Sequence, residues 1–261
     1  MKQVTTDELK KLYTPFPDSH KGQNGRLLVI GGSHLFHAAS LWSLTVASRI
    51  VDLVHYCSVP ENNAIVQKAK KEFRNGIVIL REQVEEYIGE DDVILIGPGM
   101  TRDKETESLT NGLLKKYPKK QWVIDAGALQ MLDLSVIPKN AILTPHHGEF
   151  THVFGNEEVA SVAKKYQCIV LLKGEKDIAC DGVQCRSIAG GNAGMTKGGT
   201  GDVLAGLIAA LACKNDPFLS TIAGSFINKK AGDALYEKVG PYFNATDLAG
   251  EIPKTMKGLL I

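Results

Sequence analysis

Short apolar runs alternate along this chain with longer segments in which apolar residues recur at helical spacing. Residues 27–30, 53–59, 77–80, 93–96, 122–124, 141–144 and 168–172 read as strands. Their nearly unbroken apolar character predicts burial on both faces, as in a parallel sheet. Between and after them, residues 38–52, 61–71, 106–117, 203–212, 218–238 and 245–256 carry the helical pattern. A short helix begins at residues 6–9 with Thr6 or Asp7 as its cap, and Pro15 and Pro17 end it. Near residue 180 the pattern changes: residues 178–180 and 184–187 flank Asp181-Gly182, a hairpin signal that predicts an antiparallel edge.

Strand and helix in alternation predict an α/β fold of three layers, a mainly parallel central sheet with helices on both faces. Right-handed crossovers gather the carboxyl ends of parallel strands along one edge, where ligands bind in open α/β sheets. That edge then holds Gly31-Gly32-Ser33, Gly97-Pro98-Gly99, Asp125, His146, Lys173 and the glycine-rich stretch that ends at Asp202.

Composition narrows the function classes. The 261 residues suffice for one large domain, residues 1–261, with a full core. Thirty basic against 29 acidic residues give a net charge of +1, which supplies no reason to expect nucleic acid or an anionic membrane. No stretch approaches the roughly 20 apolar residues of a spanning helix, so a soluble cytoplasmic protein is expected. Five cysteines, without a Cys-x-x-Cys pair, argue against a disulfide framework or a zinc site and read as buried thiols.

The densest chemistry lies between Asn192 and Gly206. Gly198, Gly199 and Gly201 allow backbone N–H groups to converge on an anion, and the helical pattern from Val203 onward places a helix N-terminus behind them. Asp202 at that mouth would repel a bound phosphate, which suits a general base acting on a substrate hydroxyl during phosphoryl transfer. The alternative is an ordinary acidic residue in a first helical turn. Gly31-Gly32-Ser33 lacks the spacing of a dinucleotide fingerprint and equally makes a tight strand-to-helix turn. Gly97-Pro98-Gly99 permits close ligand approach or simply turns the chain. Asp125 can hold a metal or cap the next helix. His146, His147 and Glu149 lack a third histidine at ligand spacing, so one imidazole reaching substrate is expected, with Glu149 steadying the turn or a hydrated magnesium ion. Lys173-Gly174 can meet a nucleotide phosphate or lie in a solvated loop.

Taken in order, Lys21-Gly22, Gly31-Gly32-Ser33, Gly97-Pro98-Gly99, Asp125-Ala126, Thr144-Pro145-His146 with Gly148-Glu149, Leu172-Lys173-Gly174, Gly191-Asn192 and residues 198–206 carry a family resemblance. The chain resembles the ADP- or ATP-dependent NAD(P)H-hydrate dehydratases of the ribokinase-like superfamily. That resemblance implies repair of NADH or NADPH hydrated on the nicotinamide ring, through phosphorylation of the ring hydroxyl and loss of phosphate. It implies Asp202 as the catalytic base, and Ala39, Gly99, His146 and Asp202 as contacts of the hydrated dinucleotide. The adenine nucleotide, ADP or ATP, would meet Lys173, Gly174, Glu175, Lys176 and Asp177, with Gly198, Gly199, Thr200 and Gly201 at its phosphates. Mg2+ would accompany it, with Glu149 as a contact through water. The resemblance also implies a homo-oligomer, a tetramer in such relatives, and a separate epimerase, since no epimerase domain is expected in this chain. A kinase of a small alcohol such as hydroxymethylpyrimidine or hydroxyethylthiazole would use the same nest and Asp202, and a metabolite sensor would use the nest without the carboxylate.

Overall fold

The computed structural model describes residues 1–71 and 74–261. Among these residues ten strands form one sheet: β1 (Lys2–Gln3), β2 (Arg26–Ile30), β3 (Leu53–Cys57), β4 (Ile77–Ile79), β5 (Val93–Ile96), β6 (Gln121–Ile124), β7 (Ile142–Leu143), β8 (Ile169–Leu172), β9 (Asp177–Cys180) and β10 (Cys185–Ile188). Their spatial order is β1-β10-β9-β8-β7-β6-β5-β2-β3-β4. The run from β4 to β7 and on to β8 is parallel throughout, whereas β9 is antiparallel to both β8 and β10. The expected antiparallel hairpin is therefore present, but it does not form the edge. The two-residue β1, too short to leave a period-two signal, pairs in parallel with β10 and covers it.

Among the described residues eleven helices flank the sheet: α1 (Thr6–Leu9), α2 (Ala38–Ala47), α3 (Pro60–Ala69), α4 (Val84–Glu90), α5 (Lys104–Lys116), α6 (Ala126–Gln130), α7 (His147–Phe154), α8 (Val159–Tyr166), α9 (Thr200–Ala212), α10 (Pro217–Val239) and α11 (Ala245–Leu260). Residues alternate between faces along each strand. Leu27, Val29, Val93, Leu95 and Val123 join a core with α2, α9, α10 and α11, while Leu28, Ile30, Ile94, Ile96 and Ile124 join a second core with α4 through α8. Burial on both faces is why these strands read as continuous apolar runs.

Two local expectations are corrected. Thr5, one residue before the expected cap, is the N-cap of α1, and Glu8 Oε2 accepts from its N–H. Cys180 and Cys185 are not thiols: they stand opposite each other across the β9–β10 pair and are joined by a disulfide. The hairpin register alone brings them together. Cys57, Cys168 and Cys213 remain free. Burial pushes the Cys57 thiol up to about 11 and the Cys168 thiol up to about 12, so neither is a nucleophile near neutral pH. Among the described residues no helix is long and apolar enough to cross a membrane.

The long helix α9 is placed by small residues. A Cβ added at Gly206 would meet the Ser43 backbone at 2.6 Å, so α2 and α9 approach too closely for any side chain there. Ser43 Oγ donates to the Asp202 carbonyl at 2.7 Å, fixing the first turn of α9 against α2.

Candidate functional site

The carboxyl ends of β2, β5, β6, β7 and β8 open onto one edge, and a cavity of about 570 Å³ lies there. Ala39, Gly99, His146 and Asp202, from four separate stretches of sequence, all line it. Gly97 makes the turn beneath it possible, with φ at 122° and only 1.8 Å between an added Cβ and the Asp125 carbonyl oxygen. Ala126 also lines the cavity, and its φ of 47° is a left-handed conformation that L-residues adopt at a cost of about 1–3 kcal/mol.

Pairing continues past the ends of β7 and β8, because Lys173 N–H donates to the Pro145 carbonyl at 2.8 Å and His146 and Lys173 stand side by side. His146 is the N-cap of α7. Its Nδ1 accepts from the Glu149 N–H at 3.2 Å, which leaves the ring proton on Nε2. Glu149 Oε2 returns the contact to the His146 N–H at 2.9 Å, and Oε1 accepts from Gln130 at 3.0 Å. Glu149 thus steadies the turn. The adjacent His147 diverges from its neighbour, its Nε2 lying 3.1 Å from where a Gly174 Cβ would stand.

Asp125 neither caps α6 with its side chain nor joins a metal-ligating cluster among the described residues. Its Oδ1 accepts from Lys173 Nζ at 3.0 Å, and the same ammonium lies 4.0 Å from Glu149 Oε2. Burial pulls the Lys173 ammonium down, but the charges of Asp125, Glu149 and Asp202 together raise it above its ordinary value, so it stays charged. Burial, then the Asp125 charge, pushes the Asp202 carboxyl up to about 7, with Lys173 opposing and Glu149 adding to the rise. A carboxylate poised near neutrality accepts a proton more readily than an exposed one. Lys173 Nζ is also 3.6 Å from the position of a Gly201 Cβ, so a cation stands at the start of α9.

Of the three nest glycines only Gly199 requires its freedom: φ is 96° and an added Cβ would meet the Trp42 ring at 2.3 Å. Thr200 closes the loop, its hydroxyl donating to the Met195 and Lys197 carbonyls at 2.7 and 2.9 Å. Lys197 donates to the Pro241 carbonyl and lies over the Phe243 ring.

Within the Lys173–Asp177 stretch the residues separate. Glu175 and Lys176 are exposed, whereas Asp177 is buried and accepts from the Gly174 N–H at 2.9 Å and from Ser225 Oγ at 2.7 Å. Lys229, buried in the middle of α10, stands 3.2 Å from Asp177 and donates to the carbonyls of Gly174, Glu175 and Gly190. Asp233, one turn on, accepts from the Gly191 N–H at 3.0 Å. Sequence reasoning missed both residues. The residue types gave little signal, since Lys229 stands between Asn228 and Lys230 in the sequence.

Together these features define a class. A ribokinase-like superfamily protein from Enterococcus faecalis superposes with a TM-score of 0.85 at 23% identity, covering 99% of this chain and 96% of that one. The ADP/ATP-dependent NAD(P)H-hydrate dehydratase of Bacillus subtilis, co-crystallised with ATP and Mg2+, superposes with a TM-score of 0.85 at 22% identity, covering 99% and 98%. The fold is ribokinase-like. Residues 27–254 match the Carb_kinase family of NAD(P)H-hydrate dehydratases, and the chain belongs to that family. The ADP-dependent (S)-NAD(P)H-hydrate dehydratase of Nitrosopumilus maritimus is 36% identical over 98% of this chain and 97% of its own length. The bifunctional NAD(P)H-hydrate repair enzyme of Archaeoglobus fulgidus is 37% identical over 94% of this chain but 53% of its own length, so the chain spans about half of that relative.

Proposed function

We propose that this chain restores hydrated NADH or NADPH by dehydration coupled to consumption of an adenine nucleotide. The observation that carries the reading is the Asp202 carboxyl, raised to about 7 and facing the cavity that Ala39, Gly99 and His146 share. Hydroxide is a poor leaving group, and phosphate is a good one. Asp202 takes the proton of the ring hydroxyl as its oxygen attacks the terminal phosphoryl group, while the amides of the α9 N-terminus and the Lys173 ammonium balance the charge on that group. The ring nitrogen's lone pair then expels phosphate, and loss of a proton from the neighbouring carbon restores the double bond. His146, with its proton on Nε2, donates to the bound dinucleotide.

The carboxylates beside Lys173 fit a magnesium ion, which favours hard oxygen ligands and keeps much of its water and phosphate coordination. Asp125 commits only Oδ1 to Lys173, so Asp125 and Glu149 would hold the ion through water. Bound there, it would offset charge on the nucleotide phosphates. ADP is the donor we assign first, because relatives matched over nearly their whole length carry that dependence in their names.

Incubation with hydrated NADH, Mg2+ and either ADP or ATP tests the reading, with absorbance of the restored reduced nicotinamide and the nucleotide product both followed. AMP formed from ADP, in step with recovered NADH, is the expected result. Nucleotide binding without recovery under either donor would refute it. Lys173→Met gives a second test. Removing the cation that opposes ionisation moves the acid limb of the kcat–pH profile upward by about one unit; a limb that stays in place would show that Lys173 serves nucleotide binding alone.

A further inference from the structure

The cavity is charged unevenly. Its carboxylates, Glu149 and Asp202, come from α7 and α9, whereas Arg102 enters from the loop between β5 and α5. That loop is anchored: the Gly32 N–H donates to the Pro98 carbonyl at 2.7 Å and the Met100 N–H to the Gly97 carbonyl at 2.9 Å. Beyond Arg102, Asp103 caps α5 by accepting from the Thr106 N–H at 2.9 Å, and it also accepts from the Thr101 hydroxyl. Glu105 lies 3.7 Å from Arg81. The acidic residues nearest to Arg102 in sequence are therefore engaged elsewhere, and among the described residues no carboxylate pairs with it. An exposed guanidinium with no ion-pair partner among the described residues therefore lines the cavity just before the N-terminus of α5.

We propose that Arg102 holds a phosphate of the dinucleotide substrate, away from the ring that faces Asp202, and so contributes to binding rather than to the chemical step. The inference rests on the dehydratase reading and adds the residue that recognises the anionic part of the substrate. Planar guanidinium forks bind phosphate oxygens in pairs, a geometry that lysine does not reproduce. The shared chemistry is a phosphate ester or anhydride, and two parts of the substrate supply it: the pyrophosphate present in every hydrate, and the 2′-phosphate of hydrated NADPH alone.

Steady-state kinetics on wild type, Arg102→Gln and Arg102→Lys, with hydrated NADH and hydrated NADPH, test the assignment. Arg102→Gln raises KM about ten- to thirtyfold with kcat held within about twofold, and Arg102→Lys recovers part of the loss. Equal loss on both hydrates identifies the pyrophosphate, and loss confined to hydrated NADPH identifies the 2′-phosphate. An unchanged KM on both, with wild-type turnover intact, overturns the proposal. A fall in kcat with KM unmoved overturns it as well. Failure of the dehydratase reading looks different, since wild type itself would not turn over. Calorimetric binding of NADH and NADPH to wild type and Arg102→Gln then reads the assignment independently, with equal affinities refuting it.

Discussion

Asp202→Asn leaves adenine-nucleotide binding intact while turnover falls by about 10²–10⁴-fold, the usual worth of a general base. Asparagine keeps the shape of the side chain at the mouth of α9 and its hydrogen-bonding capacity but cannot accept the proton. Unchanged turnover would remove Asp202 from the reaction. The same substitution changes stability in a pH-dependent way, and the sign follows from the raised carboxyl. Its value in the folded chain is about 7 against an ordinary 3.8, so the folded state holds the proton where the unfolded state has lost it. Wild type therefore loses stability as pH rises from about 4 through 7, and the full penalty is present above 7. The neutral variant carries no such penalty. Its stability advantage over wild type grows by about 2–3 kcal/mol between pH 5 and pH 8. Denaturant melts of both proteins at those two pH values measure the difference, and parallel pH dependence would show that the carboxyl is not raised.

Lys229→Met is the substitution with the largest expected effect on stability. The ammonium is buried among Asp177 and the carbonyls of Gly174, Glu175 and Gly190, which join the turn after β8 to the loop after β10. Methionine fills much of the volume but leaves a buried carboxylate without its cation, and breaking such a pair costs about 3–5 kcal/mol. Thermal unfolding shifts down by about 6–20 °C for a chain of this size. Because the Gly174–Asp177 turn is the proposed nucleotide contact, KM for the nucleotide rises as well. The double variant Asp177→Asn with Lys229→Met regains part of the loss, since it removes the orphaned charge. A Tm within about 2 °C of wild type for Lys229→Met alone would show that the cluster is not held by this charge.

The strands were legible because burial on both faces leaves an apolar run, as in residues 93–96, and α11 because its apolar spacing repeats over several turns. Shorter helices escaped notice. Five-residue α6 has no room to repeat a pattern, and α7 begins at a histidine cap inside a stretch that read as site chemistry. Asp202, His146 and the glycines announced themselves through residue types unusual at a helix mouth or a strand end. Lys229 and Asp233 did not, because polar residues within a helix, Lys229 between Asn228 and Lys230 among them, do not show in sequence which loop they will meet. Arg102 was hidden for the opposite reason, lying among other charges in a surface-like run.

The sequence by itself determined the alternation of strand and helix, the edge on which the turns collect and the likeness to a dehydratase family. The alternation and the edge follow from periodicities and turns set within a few residues by local backbone preference, and the likeness from motifs that match a family in order along the chain. Only the tertiary structure decided that Asp125 pairs with Lys173, 48 residues away, and that Cys180 bonds to Cys185. It also decided that Asp202 is raised toward neutrality by burial and by the carboxylates of Asp125 and Glu149. Charge interactions depend on distance and on the exclusion of water, and neither exists until the sheet sets the strand ends side by side.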